Sequence, residues 1–164
     1  MANWSDIERD APAFASDVKE RFDADRHKFL ATLRADGAPR VSGIETTFAH
    51  GELWLGMMPG SRKAQDLRRD PRFALHSASS APPDNPSAWA GDAKLAGVAV
   101  EVTDPADRAR GLGAMGDPGE SSPDAHLFRL EIREAVHTRV GEPADHLLIR
   151  FWSEQDGLRE IRRA

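Results

Sequence analysis

Cysteine is absent from the 164 residues, which rules out disulfides, thiolate metal sites and a cysteine nucleophile. Long apolar runs are missing as well, so no segment is expected to span a bilayer. Met1 to Asp25 is polar and acidic, without the apolar core of a secretory leader. A cytoplasmic setting with no membrane partner is the expectation. Positive charge is not in excess: 22 Lys and Arg stand against 27 Asp and Glu, a net −5 that gives no general affinity for nucleic acid. No Gly-x-Gly-x-x-Gly follows a strand pattern, which argues against a dinucleotide-binding α/β domain. The six histidines (His27, His50, His76, His126, His137 and His146) show no pair at ligand spacing and no HExxH pattern. A metal enzyme is not expected.

What is present reads as one domain over residues 1–164, with 40% apolar and 30% charged residues, the balance of a chain that buries a core. The first 26 residues suit a helical segment packed on the rest. Trp4 to Arg9 forms a short helix, and a second follows from an Asp10 cap and Pro12 to about Asp25. Phe14, Val18 and Phe22 make one apolar stripe on it. Lys28–Arg34 reads as a strand, Asp36-Gly37 as a hairpin turn, and Pro39–Ala49 as the partner strand. His50-Gly51 turns the chain into Glu52–Met58, completing a three-stranded meander.

Further strands are expected over 72–79, 93–103, within 125–140, and over 146–152. A helix from Ala106 to about Met115 is capped by Asp104, and 116–124 is the most flexible loop. Gly157 to Ala164 reads as a short basic tail. The sum is a mainly β (α+β) domain: a six- to seven-stranded antiparallel split β-barrel with flanking helices.

The chemistry concentrates between His50 and Ser77 (HGELWLGMMPGSRKAQDLRRDPRFALHS). Pro59-Gly60 stops a strand, Ser61 is a good N-cap, and Arg62–Arg69 is free of Gly and Pro, giving about two helical turns. Asp70-Pro71 ends the helix. Arg62 and Lys63 sit where the helix dipole disfavours cations by about 0.3–1 kcal/mol. Two cations in that place, beside a hydroxyl and free N–H groups, suit a bound anion such as a phosphate. A solvated basic turn is the plainer alternative.

The order FLATLRADGAPRVS, GELWLG and GSRKAQDLRRDPRFALHS resembles the pyridoxamine 5'-phosphate oxidase-like flavoproteins, the FMN-binding split-barrel superfamily. The likeness is close from Lys28 to Ser79 and weaker in the strands to Trp152. It implies a homodimer with two cofactor sites at the subunit interface. It also implies that Ser61, Arg62 and Lys63 hold the cofactor's terminal phosphate. The ring and ribityl chain are then expected along Val41, Ser42, Gly43 and Ile44, with Gly56 and Met57. A strand glycine lets a flat ring approach the backbone, or else marks a bulge or barrel corner.

The oxidase's second-strand arginine is replaced here by Ser42, and its C-terminal segment has no counterpart in 151–164. Oxidation of vitamin B6 is therefore not what these residues point to. FMN is the first cofactor expected, with the deazaflavin coenzyme F-420 and haem as alternatives. The leading expectation is an oxidoreductase passing a hydride between FMN or deazaflavin and a small-molecule substrate. The alternative is a non-catalytic flavin- or haem-binding protein for storage or sensing. No catalytic acid or base is assigned. His76 and Glu45 are candidates beside a structural histidine and a paired glutamate, and Trp89 or Trp152 could wall a partner's site or simply pack.

Overall fold

The computed structural model describes residues 1–116 and 123–164, so the flexible loop expected over 116–124 lies largely outside the described residues. The elements run α1 (Trp4–Asp10), α2 (Pro12–Asp23), β1 (Lys28–Leu33), β2 (Pro39–Ile44), β3 (Thr47–Ala49), β4 (Glu52–Met57) and α3 (Arg62–Arg69). They continue β5 (Arg72–His76), β6 (Asp92–Glu101), α4 (Pro105–Ala114), β7 (His126–Val140), β8 (Leu147–Ser153) and β9 (Gly157–Arg163). All strand pairings are antiparallel, in the order β2-β1-β5-β6-β7-β4-β3, with β8 and β9 branching from β7. Residues 126–129 of β7 carry β4, while 134–140 carry β8 on the same edge. The sheet is curled and not closed.

Nine strands therefore replace the six or seven expected, for two reasons. The stretch 39–49 is not one strand. Its first half pairs with β1, Ile44 turns into the core, and its last three residues pair with β4 at the opposite end of the sheet. The expected three-stranded meander is thus split between two edges, with no β2–β4 pairing. The reason is local: His50 (φ 56°) and Gly51 (φ 74°) form a two-residue turn with both residues left-handed, which binds β3 tightly to β4. The basic tail is also a strand, since β9 pairs along its whole length with β8. Asp10 does not cap α2. Ala11 takes that place, and the Asp10 carboxylate instead accepts a 2.6 Å bond from Trp152 Nε1, which makes Trp152 a buried core residue.

Period two sorts the faces. Leu30, Leu75, Leu95 and Ala135 are register partners across four strands and point inward. They meet Phe14, Val18 and Phe22 from α2, Trp4 and Ile7 from α1, and Ala64 and Leu67 from α3. The opposite, outer face carries the row Gly43–Phe29–His76–Lys94–Val136–Phe151. Among the described residues no helix is long and apolar enough to cross a membrane.

Strands β6 and β7 slip register between Ala96 and Gly97, where a side chain on Gly97 would run into the Glu131 carbonyl. That obstacle is backbone and cannot swing aside. Gly97→Ala is expected to cost about 3 kcal/mol, the upper end of overpacking penalties, as read by urea denaturation. A loss under about 0.5 kcal/mol would mean that the two strands part easily there.

Candidate functional site

Helix α3 closes one end of the curled sheet, and a single carboxylate ties it there. Asp66 is buried and accepts from Thr32 Oγ1 on β1 (2.9 Å), Arg40 Nε on β2 (2.6 Å) and Arg69 Nη2 on its own helix (3.0 Å). Burial pushes its carboxyl upward, but the bonds from Arg40, Arg69 and Thr32 outweigh burial and hold it below the usual range. Arg69 also donates to the Leu33 carbonyl. Arg68 forks onto Glu101 at 2.7 and 2.6 Å, and His126 Nδ1 stands 3.4 Å from the same carboxylate. The Arg68 fork, with His126 beside it, keeps the Glu101 carboxyl below its ordinary value.

The cations in the first turn behave differently. Arg62 is exposed and has no ion pair or hydrogen bond among the described residues. Lys63 has no carboxylate partner there either, and its Nζ donates to the Gly43 carbonyl at 2.5 Å. Burial pulls its pKa down. The Ser61 hydroxyl makes no capping bond. One hydroxyl, one unpaired guanidinium and one partly desolvated ammonium therefore belong to three successive residues at the helix N-terminus. A phosphate fits this donor set, supplying the charge that Arg62 and Lys63 lack and the acceptors that the free N–H groups need.

The Lys63 bond brings the helix junction and β2 together. Gly43 lies on the open outer face with nothing near where a Cβ would stand, so a planar group can approach it. Val41 is two residues along on the same face and 69% exposed. Ser42 points the other way, as the register partner of inward-facing Leu30. Ile44 and Met57 are buried in the core. The space beside Gly56 is filled by Met115, at the end of α4, which packs on a small apolar cluster of Trp54, Val102 and Leu127. Any ring contact by Ile44, Gly56 or Met57 would thus be through backbone.

Among the other candidates, Glu45 is taken up by Arg26 at 2.9 Å, with His27 at 3.7 Å, on the surface. Trp89 is half-buried and donates to the Ser80 carbonyl. His76 lies on the outer face in the same row as Gly43, with Asp92 behind it at 3.7 Å. Asp66, Glu101 and His126 were not singled out by sequence. Their bonds join residues 25 to 34 positions apart, and no local pattern marks them.

A curled, open antiparallel sheet with helices on its flanks defines the class of split β-barrels. The sequence profile of the family described as pyridoxamine 5'-phosphate oxidase matches residues 14–139, and the chain belongs to that family. Solved structures agree in fold. A pyridoxamine 5'-phosphate oxidase-related, FMN-binding protein from Nostoc punctiforme is 16% identical, covers 100% of this chain and 98% of its own, and superposes with a TM-score of 0.64. A haem-binding protein from Mycobacterium smegmatis is 18% identical over 91% of this chain and 88% of its own, with a TM-score of 0.57. A haem storage protein from Vibrio cholerae is 19% identical over 73% and 90%, with a TM-score of 0.52. At such identities these are likenesses of fold. A comparison with curated proteins finds no match.

Proposed function

We propose that this protein is a cytoplasmic oxidoreductase that holds FMN and passes a hydride between it and a small-molecule substrate. The observation that carries this reading is the cradle at Ser61, Arg62 and Lys63, whose first-turn cations have no carboxylate partner among the described residues. Ser61 and Arg62 are the residues to hold the terminal phosphate, with Lys63 bridging to β2. The ring is expected over Gly43 on the open face. The cofactor supplies the redox chemistry, while the chain binds it, orients it and excludes water. Coenzyme F-420 offers a phosphate to the same cradle and is the nearest alternative.

The test is a titration of cofactor-stripped protein with FMN, F-420 and haem in parallel, followed by anaerobic addition of NADPH. FMN binding at micromolar concentration or tighter, and bleaching of its absorbance by NADPH, is the expected result. Binding of F-420 alone moves the proposal to a deazaflavin reductase. Binding of haem alone, or tight FMN that no donor reduces, overturns it in favour of a binding or storage protein.

The same proposal includes a homodimer through the outer face. Phe29 and Val41 stand 54% and 69% exposed there, an apolar surface that water does not favour. Lys94 and Glu134 lie on this face without an ion-pair partner among the described residues. If Lys94 of one copy meets Glu134 of the other, the two-fold axis of an isologous dimer makes the same contact twice. The protein is expected to sediment at twice its 18.0 kDa chain mass, and Phe29→Asp with Val41→Asp to return it to a monomer. A monomeric wild-type protein would sink the interface.

A further inference from the structure

We propose that His76 is the catalytic residue that gives a proton to the substrate, and that this substrate is a flat, largely apolar carbonyl compound. The inference rests on the oxidoreductase reading above. His76 is paired with Phe29 on β1 and Lys94 on β6, so it stands two strands from Gly43 on one row, about 9–10 Å at ordinary strand spacing. Beside it the outer face forms a groove of about 350 Å³, floored by Phe29, Ala31, Val41, Ala74, Ala96 and Val136. A second copy over this face would roof the groove and keep water out.

The imidazole is set up for one role. Its Nδ1 lies 2.5 Å from the Ser77 carbonyl, an acceptor only, so Nδ1 carries a hydrogen. Nε2 is then the nitrogen whose protonation is free to change. Asp92 Oδ2 stands 3.7 Å from it, too far for a hydrogen bond. Asp92 Oδ1 is buried with no hydrogen-bond partner among the described residues, so this carboxylate is not spent elsewhere. The charged groups facing His76 are Asp92 and Lys94 on β6 and, a strand further, Glu134 on β7, while β1 presents Phe29.

The step balances. A quinone would take a hydride at one carbonyl oxygen from the reduced flavin of the reading above, and the other carbonyl oxygen would take the proton on Nε2. The two C=O groups would become C–OH groups, the flavin would be left oxidised, and Nε2 would take a proton back from water.

Menadione, a flat quinone, is the probe. Added to cofactor-stripped protein, it is expected to shift the His76 ring signals in ¹H–¹³C spectra in a saturable way. In FMN-loaded protein, His76→Gln is expected to lower kcat for menadione about 100-fold while leaving FMN affinity within twofold. Full activity in His76→Gln, no menadione turnover by the wild type, or unmoved His76 signals overturns the inference while FMN binding still stands. Failure of the wild type to bind FMN overturns the reading beneath it and this inference with it.

Discussion

Replacing Arg62 and Lys63 together by alanine is expected to weaken FMN binding about 10²- to 10⁴-fold, from about 1.5–3 kcal/mol for each charged hydrogen bond lost. The fold should survive. Arg62 contacts no described residue through an ion pair or hydrogen bond, and Lys63 gives up only its bond to the Gly43 carbonyl. Flavin fluorescence titration reads the affinity, and a thermal melt followed by circular dichroism checks the fold. The single variants separate two roles. Arg62→Ala removes a free cation and should change affinity alone, whereas Lys63→Ala also frees a β2 carbonyl and should loosen that edge. Unchanged FMN affinity in a folded double variant would sink the phosphate assignment.

Asp66→Ala is expected to cost about 3–5 kcal/mol of stability, because it leaves the buried side of Arg40 without its counter-charge. It also frees Thr32 and one bond of Arg69. With an m-value of about 2 kcal/mol per molar urea, the midpoint should fall by about 2 M. The pH dependence follows from the direction of the shift. The Asp66 carboxyl is lowered from its ordinary value of 3.8, so the folded state binds its proton less readily than the unfolded chain. Its contribution is whole above that value and is lost as pH falls through the lower folded pKa. Asp66→Asn should therefore flatten the acid limb of the stability curve below about pH 4. Equal midpoints for wild type and Asp66→Ala would show that α3 is held by Ala64 and Leu67 alone.

Local signals in the chain served well. The His50-Gly51 turn, the Asp104 cap on α4, the Asp36-Gly37 hairpin and the helix between Ser61 and Asp70 all depend on a few adjacent residues, and each is where those residues place it. Features set by distant partners were not legible. Pro39–Ala49 has strand composition throughout, and only closure of the sheet decides that its halves go to opposite edges. Leu158 and Ile161 among arginines look like a tail until β8 is beside them.

The site divides in the same way. Misplaced cations at a helix start can be read from a dozen residues, and Arg62 and Lys63 do stand there without carboxylates among the described residues. Gly56 reads like a place for a ring, and the space where its Cβ would stand is taken by Met115, far along the chain. Nothing local marks Asp66, yet it is a buried anchor, whereas Asp70, before Pro71, is a surface partner of Arg72.

The most direct measurement is a pair of calorimetric titrations of stripped protein, one with FMN and one with riboflavin, which differs only in lacking the phosphate. A cradle built by Ser61, Arg62 and Lys63 predicts FMN binding at least 100-fold tighter than riboflavin binding, an advantage that shrinks at high salt. Equal affinities, or no binding of FMN at all, would contradict the account at its centre.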